Sequence, residues 1–309
     1  MRVWVLNLDA EFELASAGPY QTRQALARTL QPFIERARVL LAPGDTLLDD
    51  VAPLALSTTA HGACWCPTPS ALRRLSRAGI TLPHSPSLSV LQHVNQRSFY
   101  LGLGGGAPGA SYFEDEASLS AALTARGSAT WLFKRRFGFA GRGQRRLRRE
   151  LSADDRRWLA DSLRQGGLLG EPWLELEREV CLHGVIEPGA RLRLGQPCWQ
   201  HTDAQRAWLG STRVRPGELT PEAEHALIRS AEHAAGALSD AGYFGPFGVD
   251  AYFWRTGSGA LRFNPLGELN ARYTMGFSVG MSPADGTAAD GTAAAGTAPA
   301  YTPAPRDVT

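Results

Sequence analysis

At 309 residues, with 43% hydrophobic and 20% charged residues, the chain has the composition of a soluble globular protein large enough for more than one small domain. A formal net charge of +2 gives no reason to expect a polyanion bound across the whole surface, and four irregularly spaced cysteines exclude a secreted disulfide framework. The opening MRVWVLNLDAEFELA has too short an apolar run for a signal peptide and no stretch reaches transmembrane length, so a cytoplasmic protein without membrane contact is expected.

Residues 2–8, RVWVLNL, read as a buried first strand. A helix follows over 20–38 with Leu26, Leu30, Phe33 and Ile34 on one face, and VLLAP (39–43) reads as a second short strand. Pro69, Ser70 and Gly79 give a helix over 69–79 its start and stop signals, before a strand and turn at ITLPHSP. This alternation predicts a small open α/β domain over 1–85. Residues 87–101 read as one helix, 102–110 as a glycine break and 116–126 as another helix. TWLFKRRF is a strand leading into a glycine loop. Ser152 caps a helix over 151–167 that ends at Gly166. Residues 168–186 read as two strands with a bend at Pro172, and 221–242 as a helix opened by Pro221 and closed by Gly242. FGVDAYFW and ALRFNPLGELN, joined by RTGSG, form a strand pair. From 283 the sequence is built on loose DGTAA repeats and is expected to be a disordered tail.

Lys134 is the only lysine; the other 31 of the 32 basic residues are arginine. Lysine is a compact point charge that reaches a phosphate oxygen where a planar guanidinium is too bulky. It ends the apolar run WLFK, and Gly138, Gly141 and Gly143 just downstream allow a backbone to approach a ligand closely. That pattern suggests a nucleotide triphosphate site, although no GxxxxGK[ST] string is present.

Four separated elements together resemble the ATP-grasp superfamily over roughly residues 1–280. The first is this lysine and glycine loop: the resemblance implies that Lys134 contacts phosphate and adenine, with Gly138, Gly141 and Gly143 as a mobile lid. The second is EPWLELEREV (171–180), which implies Glu171, Trp173 and Leu174 at the adenine rim and Glu179 on the ribose hydroxyls; a carboxylate accepts two such bonds at once. An amphipathic strand with merely solvated glutamates is the other reading, and Glu175 and Glu177, alternating with leucines, fit it. The third is GPFGVDAYFW (245–254) with GELNARYTMG (267–276), which implies magnesium held by Asp250, Glu268 and Asn270, oxygen ligands of the kind magnesium takes. Eighteen positions separate Asp250 from Glu268, longer than usual in the family, and a competing register puts Asn264 in the asparagine position but Arg262 in that of the glutamate. The fourth is SVLQHVNQRSFYLGLG (89–104), where Arg97 matches a basic residue that reaches the α-phosphate, or is an ordinary surface arginine.

Arg272 resembles a family position near the transferred phosphate. Arg213 and Arg215 are candidates for the γ-phosphate or an acidic substrate. Tyr20, Asp9 and Glu11 sit at the end of the first strand, where open α/β sheets bind ligands; they either touch the acceptor or cap the strand. His61, Cys64 and Cys66 resemble half a metal site, but no second pair follows, and free buried thiols are expected. The run 134–149 holds eight basic residues in sixteen with Phe137 and Phe139 interleaved, so nucleic-acid binding through it stands as an alternative.

The expected fold is thus α/β of ATP-grasp type: an N-terminal open α/β (pre-ATP-grasp) domain (1–85), a central small lobe (86–172), a C-terminal α+β lobe (173–282) and the tail (283–309). The resemblance implies an ATP- and magnesium-dependent ligase joining a small carboxylate to an amine through an acylphosphate and releasing ADP and phosphate. Lys134, Arg213 and Arg272 are its candidate catalytic residues. A phosphotransferase on the same fold and a non-catalytic binder are the rivals.

Overall fold

The computed structural model describes residues 1–50, 60–127, 129–139, 141–148, 150–203 and 208–282. The low-complexity tail expected from 283 lies outside the described residues.

The chain begins with β1 (Arg2–Val5), the short helix α1 (Ala10–Leu14) and α2 (Gln24–Ala37), then β2 (Thr46–Leu47), β3 (His61–Cys64) and α3 (Pro69–Arg77). β1 is the middle of a three-stranded sheet, parallel to both neighbours. Parallel strands are covered on both faces, and Val3, Trp4 and Val5 are all buried. The second strand expected at 39–43 is displaced to 46–47. Residues Arg38–Leu40 form a 3-10 turn instead, burying Leu40 and exposing Val39, and Gly44 at φ 84 turns the chain before it can extend.

The single helix expected over 87–101 is two, α4 (Leu88–Val94) and α5 (Arg97–Gly102). Asn95 explains the break. Its side chain bonds both backbone groups of Ala271, at 3.3 and 3.1 Å, as well as the Leu91 carbonyl at 3.0 Å, and Gln96 is extended. A four-stranded antiparallel sheet follows, in order β4 (Ser111–Phe113), β7 (Leu168–Pro172), β5 (Trp131–Arg135), β6 (Gln144–Leu147). Helices α6 (Glu116–Ala125) and α7 (Ala153–Arg164) pack on it through Phe113, Leu119, Phe133, Leu159 and Leu168. The α7 start is a capping box: Ser152 accepts from the Asp155 amide, and Asp155 accepts from the Ser152 amide at 3.0 Å.

The largest sheet runs β11 (Trp208–Arg213), β10 (Cys198–Thr202), β8 (Glu175–Ile186), β12 (Gly245–Arg255), β13 (Leu261–Asn270), with β9 (Leu192–Leu194) beside β8. Helix α8 (Pro221–Asp240) buries Leu227, Ala231, Ala234 and Leu238, spaced to share one face, and the short α9 (Phe277–Met281) closes the described chain. Among the described residues no helix is long and apolar enough to cross a membrane.

Candidate active site

The register of two strands assembles the acidic group. β12 and β13 are antiparallel, with Asp250 opposite Glu268 and Gly248 opposite Asn270. Side chains alternate along a strand, so Glu268 and Asn270 share a face, and Asp250 meets them there. Asn270 Nδ2 donates to Asp250 Oδ2 at 3.0 Å and Gln200 Nε2, from β10, to its Oδ1 at 2.5 Å. Burial raises the Asp250 carboxyl to about 6, and the neighbouring Glu268 pushes the same way. Burial also pushes Glu268 up, but Arg97 and Lys134 together outweigh it and hold that carboxyl below its usual range. Asn264 is elsewhere: it donates to the Gly106 carbonyl at 2.7 Å and the Tyr252 hydroxyl at 2.9 Å, which makes it a structural tie and removes the competing register.

Three cations face this group, each opposite its own carboxylate. Lys134 Nζ lies 2.6 Å from Glu171 Oε1 and 3.9 Å from Glu268 Oε2. Arg97 Nη1 lies 2.9 Å from Glu268 Oε1, and its Nε donates to the Arg135 carbonyl at 3.0 Å. Arg272 pairs with Glu11 of α1, and both are buried. Burial acts to lower the Lys134 pKa, but Glu171, Tyr100 and Glu268 reverse it, so the ammonium stays charged. Glu11 is raised, because burial exceeds the pull of Arg272.

Arg97, Asp250, Glu268, Asn270 and Arg272 all line one cavity of about 260 Å³, which Gly138 and Gly141 also border. Those glycines belong to the hairpin turn between β5 and β6. Gly141 and Gly143 both have φ 74, a region only glycine adopts freely. At Gly138 a Cβ would come within 2.5 Å of the Arg142 carbonyl and 3.1 Å of Arg97 Nη2. The missing side chain lets the turn lie on the arginine. A larger, more open cleft of about 450 Å³ beside the 104–110 turn has no titratable side chain in its lining, and the chemistry belongs to the smaller one.

The donor set fits a magnesium ion: two carboxylates and an amide oxygen on one face, in an acidic group whose Asp250 is held uncomfortably high. Among the described residues no three His, Cys, Asp or Glu side chains are placed to hold a metal, so the amide and the nucleotide would complete the shell. The four cysteines are free and buried.

Comparison with solved structures places the fold. A D-alanyl-alanine synthetase A from Vibrio cholerae matches with a TM-score of 0.52 at 13% identity, covering 91% of this chain and 90% of that one. The chain has the ATP-grasp fold. A pyruvate carboxylase from Rhizobium etli also gives a TM-score of 0.52, at 16% identity, covering 76% of this chain and 23% of its own. An ADP complex of N5-carboxyaminoimidazole ribonucleotide synthetase matches at 17% identity and TM-score 0.47, over 75% of this chain; the chain spans 60% of that protein's length. No family model matches, and no curated protein matches in sequence.

Within this ATP-grasp fold the remaining expected residues divide. Glu171 joins the site through Lys134. Trp173 and Leu174 fall between β7 and β8, outside the cavity; the Arg146 guanidinium lies 4.0 Å from a Trp173 ring centroid. Glu179 is on β8, opposite Gln200 and Tyr252. Arg213 is outside the cavity lining and donates to the Val279 and Ser282 carbonyls, at 3.0 and 2.7 Å, tying β11 to the end of α9. Arg215 is exposed beside Glu218, away from the cavity lining. Asp9 accepts from Tyr20 and Thr22, at 2.9 and 2.5 Å, so this pair braces the loop after β1. The basic run is largely built into the fold: Arg135 lies over Trp158, Arg136 donates to Gln96, and Arg145 pairs with Asp154 and Asp155. Gln200, Tyr100 and Trp65 were not singled out from the sequence. Gln200 is placed by sheet order, which its own segment CWQHT does not reveal.

Proposed function

We propose that the protein is an ATP- and magnesium-dependent ligase that joins a small carboxylate to an amine. The observation that carries this reading is convergence: Arg97, the Asp250–Glu268–Asn270 face and Arg272, from well-separated segments, line one cavity under a glycine turn, and Lys134 reaches within 3.9 Å of Glu268 behind that lining. Solved proteins of the same fold named as a synthetase and a carboxylase support it. No nucleophile of the protein is required. The substrate carboxylate oxygen attacks the γ-phosphorus, the bond from that phosphorus to the ADP oxygen breaks, and an acylphosphate forms. The amine nitrogen then attacks the carbonyl carbon, the C–O bond to phosphate breaks, and the amine loses a proton to solvent.

The chain's own residues position charge and exclude water. Lys134, fixed by Glu171, and Arg97 hold phosphate oxygens; Arg272, fixed by Glu11, steadies the transferred group. Asp250, Glu268 and Asn270 would hold magnesium, which neutralises phosphate charge when bound. The glycine turn, laid over the site, shields the acylphosphate from hydrolysis.

The test is calorimetric titration of the full chain with ATP and magnesium, alongside Lys134→Ala and Glu268→Ala checked for folding by melting temperature. Micromolar binding, on the order of −8 kcal/mol, weakened at least tenfold in both variants is expected. Binding indifferent to both changes, or none by the intact protein, would overturn the assignment. Amine-dependent ADP release separates the ligase from a phosphotransferase, whose ADP release needs an alcohol.

A further inference from the structure

The cavity has two kinds of lining. One is the set of carboxylates and guanidinium groups. The other is aromatic: Phe33 of α2, Trp65 after β3, Phe139 of the glycine turn and Trp208 of β11. Four aromatic side chains from four separate elements are not the by-product of one amphipathic face. Phe139 stands edge-on between Phe33 and Trp65, with ring centroids 6.0 and 6.3 Å away. Arg272 joins the two sets: its guanidinium carbon lies 5.1 Å from the Trp65 ring centroid and 6.0 Å from that of Phe139.

Two buried polar atoms on lining side chains, Trp65 Nε1 and Thr274 Oγ1, have no hydrogen-bond partner among the described residues. An indole N–H can only donate, so it requires an acceptor. Buried polar groups are almost always satisfied, and an unsatisfied one beside a cavity points to a missing ligand or water.

Resting on the ligase reading above, we propose that the acid activated here is a small aromatic carboxylic acid. Its carboxylate faces Arg272, with Trp65 Nε1 donating to one of its oxygens, and its ring lies against Trp65 and Phe139 with Phe33 and Trp208 closing the sides. Size limits it: about 260 Å³, below the roughly 300–1,000 Å³ of pockets for drug-sized ligands, must also admit the phosphate end of the nucleotide, so only a small acid fits. Spacing argues for it. A cation 5.1 Å from a ring wall matches an acid whose own ring is joined to the carboxyl by a short arm. Aromatic rings gain edge-on and offset contacts with such a wall that an aliphatic chain lacks.

The test uses the full chain with ATP, magnesium and hydroxylamine as the amine, so that an acylphosphate is trapped as a hydroxamate. Benzoate, phenylacetate and L-phenylalanine are compared with butyrate, succinate, L-alanine and L-glutamate. At least one aromatic acid is expected to exceed every aliphatic one by about tenfold or more in kcat/KM. Phe33→Ala should remove most of that preference through KM while MgATP affinity, measured separately, holds. Preference for an aliphatic or dicarboxylic acid would overturn the inference while leaving the ligase reading intact. So would a preference that survives Phe33→Ala, or aromatic acids that neither react nor quench the tryptophan fluorescence of the MgATP-loaded protein. Failure of the intact protein to bind MgATP is a different result: it removes the ligase reading, and this inference with it.

Discussion

Replacing Asp250 by asparagine is expected to stabilise the metal-free protein while weakening its binding of MgATP. Burial and Glu268 raise the Asp250 carboxyl from 3.8 to about 6. Between those values the folded chain binds more protons than the unfolded one, so stability falls as pH rises through roughly 4 to 6 and the whole penalty is present above 6. That penalty is about 3 kcal/mol, an upper bound because the carboxylate opens onto the cavity. An amide has one acceptor oxygen where the carboxylate has two, so the bond from either Gln200 or Asn270 is lost, at about 1 kcal/mol. The net gain is about 1–2 kcal/mol, a rise of about 2–6 °C in melting temperature. Thermal melts in EDTA at pH 7.5 and pH 4.5 measure it. At pH 4.5 the wild-type carboxyl is largely protonated and the gap should close. A variant that melts lower at pH 7.5, or a gap equal at both pH values, would refute the reasoning. Calorimetry on the same variant should show MgATP affinity down at least tenfold.

Three further outcomes are expected. Glu11→Ala leaves the buried Arg272 guanidinium unpaired and should cost about 3–5 kcal/mol, read by urea denaturation; Glu11→Gln should cost clearly less. Ser152→Ala removes half of the α7 capping box and should cost about 1 kcal/mol, with MgATP binding unchanged by calorimetry, since α7 covers the outer face of its sheet. Gly138→Ala drives a methyl to 2.5 Å from the Arg142 carbonyl, so the turn must shift; MgATP affinity should fall with a melting temperature close to wild type.

Much of this was legible in the sequence because the signals are local. Ser152 with Asp155 three residues later, Pro69 and Pro221 at helix starts, and the alternation through FGVDAYFW each act within one turn or one strand. The acidic face was legible for the same reason: Glu268 and Asn270 are two apart on a strand. What stayed hidden depends on register between distant segments. Gln200 reaches Asp250 because β10 and β12 flank β8, which nothing in CWQHT announces. The break between α4 and α5 is dictated by Ala271, far along the chain, and not by any helix-breaking residue at 95 or 96. The bonds of Arg213 to the Val279 and Ser282 carbonyls are of the same kind, since they join β11 to α9 across a long stretch of chain. The 39–43 strand failed because an apolar run alone does not distinguish a strand from a buried turn.

The Glu11–Arg272 pair also dictates an order of events during folding. It links two residues 261 positions apart, so almost the entire chain must be in place before either charge finds its partner. Until β13 docks, the N-terminal sheet carries a carboxylate on α1 with no counter-ion, and loop closure over that span comes before any reward from the contact. The segment around Glu11 is therefore expected to consolidate only in the late step that completes the cavity.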